Sequence, residues 1–157
     1  MPNDSQSNIS EDLDRLSCEL MGEILDLMAG GAAISVVASV MDAEGMRVTC
    51  AFEKDAPDVC LDAAHEWVRG AGRGKTSATA GKGGDTSAIG LPICYAIAYE
   101  GAVAAEGDSF QDALLLEFGE RGAKTGYSAY ALVANKGKGD DFAWSDPQPA
   151  GEVDLLL

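Results

Sequence analysis

No stretch of this sequence approaches the roughly 20 consecutive apolar residues a helix needs to cross a bilayer. The first residues, Met1-Pro2-Asn3-Asp4-Ser5, lack both the basic and the apolar segments of an export signal. Basic residues are scarce: 11 stand against 26 acidic ones, for a net charge of −15. A field of that sign repels nucleic acid and anionic lipid, so neither direct nucleic-acid binding nor membrane association is expected. Histidine occurs once, at His65, which argues against a histidine-rich metal site. The four cysteines, Cys18, Cys50, Cys60 and Cys94, form no C-x-x-C pair, so zinc ribbons and thioredoxin-type redox motifs are excluded. Nucleophile elbows, H-E-x-x-H and the D-x-D-x-D-G calcium loop are missing too. These absences predict a soluble, cytoplasmic protein with thiols rather than disulfides and with no cofactor or metal.

What is present suffices for a real core. The chain has 157 residues, 46% of them hydrophobic, which is enough for one domain. Residues 1–9 are polar and are expected to be flexible. Ser10 suits a helix N-cap, and Glu11, Asp12 and Asp14 place negative charge at the positive end of the dipole. Leu13, Leu16, Leu20, Ile24 and Leu27 follow at spacings of three and four, an amphipathic helix that Gly30-Gly31 ends.

The centre of the chain reads as a β-hairpin. Ile34, Val36, Ala38 and Val40 alternate with Ser35, Val37, Ser39 and Met41; after a turn at Asp42-Ala43-Glu44-Gly45, Met46, Val48, Cys50 and Phe52 alternate in the same way. Period-two alternation marks a strand with one buried side, which needs a cover. Pro57 opens a second helix whose stripe is Cys60, Leu61, Ala64, Trp67 and Val68, and Gly70 is expected to end it.

Residues 70–90 are a Gly/Lys-rich loop by composition. Beyond it, Pro92 to Tyr99 reads as a strand, Glu100-Gly101 as a turn and Ala102 to Glu106 as a short return strand. The run 109–121 fits a strand or a helix, and strand is preferred. Tyr127 to Ala134 is a strand, Phe142-Ala143-Trp144 fits a short one, and Pro147 and Pro149 keep their segment out of any central strand. The whole describes a single α+β domain over residues 10–157. An antiparallel sheet of about five to seven strands is covered by two amphipathic helices, in the order α-β-β-α-β-β-β-β.

Candidate functional residues are few. Gly74-Lys75-Thr76 resembles the end of a phosphate-binding loop, but Arg69 stands where the motif requires glycine and a helix, not a strand, precedes it. Residues 71–91 are nevertheless the one net-positive segment, with three basic residues and one acidic. Backbone N–H groups with Arg73, Lys75 and Lys82 could hold an anion there; a solvated loop is the commoner outcome. A Cys60–His65 dyad fails on geometry, because five residues turn the helix by about 140°. His65 is expected to share a wet face with Asp62 and Arg69. Asp58, Asp62 and Glu66 form an acidic stripe of the hydrated kind. The apolar tail, Val153, Leu155, Leu156 and Leu157, either docks on its own domain, which is preferred, or presents an extended C-terminus to a partner.

The order helix, hairpin, helix, strands resembles that of small sensory and scaffolding modules of the profilin-like and roadblock kind, a likeness of order alone. The leading expectation is a small acidic binding module without catalysis, joined to a protein partner or to a second copy of itself. A small-ligand or anion sensor, or an enzyme, using the 70–90 loop is the alternative. An acidic decoy for a basic nucleic-acid-binding protein is a third.

Overall fold

The computed structural model describes residues 9–32, 34–53, 56–73, 89–104 and 109–157. Helix α1 (Glu11–Ala29) starts where the Ser10 hydroxyl accepts the Leu13 N–H at 3.1 Å, satisfying one of the unpaired donors of the first turn. It ends at Gly30, with Gly31 in the left-handed region at φ +86°. Strands β1 (Val36–Asp42) and β2 (Arg47–Phe52) form the hairpin, with Gly45 at φ +85° in its turn. Helix α2 (Pro57–Gly72) follows, then β3 (Pro92–Ala104), β4 (Phe110–Glu120), β5 (Gly126–Ala134), β6 (Ala143–Trp144) and β7 (Gln148–Val153).

All seven strands join one antiparallel sheet, in the order β2-β1-β3-β4-β5-β6, with β7 also paired to β5. The sheet curls into a half-barrel, and the α+β class expected from the sequence is the one observed. The helices lie on opposite faces. Cys94, Ala96 and Ala98 of β3 pack with Leu13, Leu16, Leu20, Ile24 and Met28 of α1. Tyr95 and Ile97, pointing the other way, pack with Cys60, Ala64, Trp67 and Val68 of α2. Phe52 is buried there, its ring edge-on to Trp67 with centroids 6.3 Å apart.

Several details differ from the sequence reading. The hairpin does not have one dry face. Val36, Ala38 and Val40 pack toward α2, while Met41 and Val37 pack toward α1 with Ile34, and Ser39 is fully buried. β1 lies inside the sheet, between β2 and β3, and has α2 over one face and α1 over the other. Ser39 is tolerated because its hydroxyl stands 3.0 Å from that of Thr49 and accepts the Arg47 Nε–H at 2.7 Å. Leu27 is exposed and Leu25 is buried in its stead. Gly70 does not stop α2, which runs on to Gly72. Glu100-Gly101 is not a turn: β3 runs straight through it, and a Cβ at Gly101 would press on the end of the Leu115 side chain. The preferred strand over 109–121 is β4, and Pro149 sits in β7 at the sheet margin. Residues 1–8 of the expected flexible N-terminus, 105 and 106 of the expected return strand and 74–88 of the 70–90 loop lie outside the described residues; residues 102–104 do not return but continue β3.

Candidate functional site

Helix α1 packs mainly on β3, β4 and β1. Between it and β4, β5 and β7 opens a groove of about 350 Å³. Its floor is a product of strand register. Phe118 pairs directly with Tyr127, and Leu116 with Ala129, so all four side chains project toward α1. The Phe118 and Tyr127 rings lie 6.0 Å apart and are half-buried. One wall is helical: Asp14, Ser17, Cys18 and Met21 recur at spacings that share a flank of α1, beside the leucine stripe that faces the sheet. The opposite wall is the β7 segment, with Pro147, Pro149 and Glu152.

The groove is apolar below and acidic at its rim. Asp14 and Glu152 are both exposed, and among the described residues neither is ion-paired. The lining contains no lysine, arginine or histidine. Cys18 is exposed, its sulfur 3.8 Å from Asp14 Oδ1. Partial burial, the Asp14 charge and that hydrogen bond all push its thiol pKa up, which works against a nucleophilic thiolate.

A second cluster lies on the other face. His65 Nε2 stands 2.8 Å from Glu117 Oε1, and the Tyr99 hydroxyl donates to Glu117 Oε2 at 2.9 Å. Burial opposes charge on Glu117, but the hydrogen bonds from His65 and Tyr99 outweigh it, and its pKa falls below the ordinary carboxylate value. His65 is therefore not on a wet face with Asp62; it ties α2 to β4. Tyr99 is pushed up by burial and by the Glu117 charge. With both carboxylate oxygens occupied, this is a fastening between layers.

The sequence-predicted site residues are scattered. Arg73 caps α2 and is exposed; Lys75 and Lys82 lie outside the described residues. Of the tail, Val153 ends β7, Leu156 is buried, and Leu155 and Leu157 pack against the α2 cluster. Leu155 Cδ1 would sit 2.9 Å from a Cβ at Gly119, and Leu157 Cδ2 2.6 Å from one at Gly72, so both glycines make room for the tail. Beneath it the Tyr95 hydroxyl is buried without a partner at hydrogen-bond geometry. Burial pushes its pKa up to about 12, opposed by the Leu156 backbone N–H. Cys50 and Cys94 are buried, with thiols pushed up by burial to about 11 and about 12. Among the described residues no group of His, Cys, Asp and Glu is placed to hold a metal, and no helix is long and apolar enough to cross a membrane.

Sequence reasoning missed the groove. Its helical wall is contiguous with an ordinary leucine stripe, and its floor depends on the pairing of β4 with β5, which no local pattern reveals. No protein-family model, curated protein or solved structure matches the chain. The likeness to profilin-like and roadblock modules therefore remains one of element order, and function must be argued from the groove.

Proposed function

We propose that this protein is a small acidic binding module, without catalysis, that receives a segment of a partner protein in the groove between α1 and β4, β5 and β7. The observation that carries this reading is the groove itself: about 350 Å³, with an aromatic and aliphatic floor beneath a polar rim. That volume lies at the lower end of ligand sites, about 300–1,000 Å³, and has room for a few side chains. On α1 the lining runs from Asp14 to Met21, roughly 10 Å at helical rise. An extended peptide of about three residues has the same reach.

Partial burial and the Asp14 charge raise the pKa of the thiol in the groove, and the histidine–carboxylate pair faces the other way, so the groove's chemistry is that of recognition. Met21→Arg tests this. Met21 is half-buried on the helical wall at the margin of the α1 core, and a longer charged side chain there fills the groove. A partner captured from the native host by the parent protein and lost with Met21→Arg, at unchanged melting temperature, is the expected result. Equal capture by both forms, or by neither, overturns the reading.

A further inference from the structure

The rim of the groove says what kind of segment it takes. We infer that the occupant is an extended peptide whose apolar side chains fill the groove and whose arginine or lysine reaches the rim between Asp14 and Glu152, over the rings of Phe118 and Tyr127. This rests on the groove being a peptide site and adds the partner's chemistry.

Three features on four elements point the same way. Asp14 on α1 and Glu152 on β7 stand on opposite walls, unpaired among the described residues, with no cation in the lining to neutralise them. An acidic occupant would meet like charge on both sides. The half-buried rings of Phe118 and Tyr127 offer aromatic surface between those walls. A guanidinium stacks on such a surface and hydrogen-bonds a carboxylate at its edge in one pose. The rest of α1 adds to the field: Glu11, Glu19 and Asp26 carry no ion pair among the described residues, while Asp12 is paired with Arg15 and Glu23 with Arg47. Pro147 and Pro149 leave gaps in the row of N–H groups along the β7 wall, so side chains rather than strand pairing must supply most of the affinity. A second copy of this chain is disfavoured as occupant, since each copy carries −15.

The test uses the full chain and three end-capped, fluorescein-labelled octapeptides alternating leucine with arginine, with glutamine or with glutamate. Fluorescence anisotropy at low salt gives the affinities, and protection of Cys18 from alkylation reports occupancy of the groove. The arginine peptide is expected to bind about tenfold tighter than the glutamine one, the sum of an aromatic contact and one or two exposed ion pairs. It should also protect Cys18, and the glutamate peptide should not bind. In the double variant Asp14→Asn, Glu152→Gln the preference should fall to about twofold or less. In the charge-matched control Asp58→Asn, Asp62→Asn, on α2 across the sheet, it should persist. If the glutamine peptide binds as tightly as the arginine one and protects Cys18, the basic partner is wrong and the peptide groove stands. If the control loses the preference as fully as the rim variant, the attraction is general charge and the inference fails. If none of the peptides protects Cys18, the peptide groove and its basic occupant fall together.

Discussion

At the scale of single residues, two carboxylates bind parts of the chain that sequence separates. Asp42 accepts the Glu44 and Met46 N–H groups on one oxygen and the Gly90 N–H on the other, each at 2.9 Å. It closes the hairpin turn and anchors the approach to β3 together. The Gly90 bond leads the effects that lower its pKa. Asp42→Ala is expected to lower the melting temperature clearly more than Glu44→Ala, its exposed neighbour in the turn; equal shifts in a thermal melt would refute the anchor. Glu117 joins α2 to β3 and β4 through His65 and Tyr99. Its folded pKa lies below its unfolded value, so its stabilisation is complete above about pH 4.3 and is lost as pH falls through the folded pKa. Glu117→Gln should cost about 1–3 kcal/mol at neutral pH. Urea unfolding from pH 7 down to pH 3 should show the gap between parent and variant closing; a gap constant across that range would deny the carboxylate this role.

At the scale of elements, the C-terminus is the informative case. β7 pairs with β5, and residues 154–157 then turn under the sheet toward α2, with Leu156 buried over Tyr95. An apolar tail packed in this way lowers the free energy of the fold without a partner. Removing residues 154–157, which leaves β7 intact, should cost roughly 1–3 kcal/mol. It should also uncover the Tyr95 phenol, now pushed up to about 12, and return it toward about 10. If stability and the tyrosine titration are both unchanged on truncation, the tail is not packed in solution and presentation to a partner becomes the better account. The two helices differ in kind. α1 has a side-chain cap and an acidic first turn, whereas α2 begins on Ala56-Pro57 with no cap and relies on Trp67, Val68 and Ala71 in the core.

At the scale of the whole molecule, the charge governs what approaches. With −15 overall and an unneutralised rim at the groove, long-range attraction is for cations and basic segments. Duplex DNA should therefore not bind, even in a gel shift at low salt where electrostatic binding is strongest. A retarded complex that dissolves as salt is raised would contradict this. The helices share the sheet unequally. On α1's face, β1, β3 and the inner part of β4 are covered, and the margin at β5 and β7 is left as the groove.

The identity of α1, the hairpin, α2 and β5 was legible from period, because each carries an apolar repeat that water enforces locally, whereas 109–121 fitted both periods and β3 was read as broken at Glu100-Gly101. The Ser10 cap and the leucines at 13, 16, 20 and 24 locate α1, and the alternation around Asp42-Gly45 locates the hairpin. Period also fixed the class, since two amphipathic helices and a set of strands leave few ways to bury their faces. It did not say which faces meet. That β1 has a helix over each face, that Gly101 lies against the Leu115 side chain, and that His65 reaches a glutamate 52 positions away all depend on which strands pair and on where the helices cross. The groove belongs to the same order of fact. Phe118 and Tyr127 become one surface only through the β4–β5 register, and Asp14 and Glu152 line one groove only because β7 pairs with β5. Local periodicity reports the free energy of taking one side chain out of water; a site is made of side chains brought together from distant positions, and only the packed fold decides that.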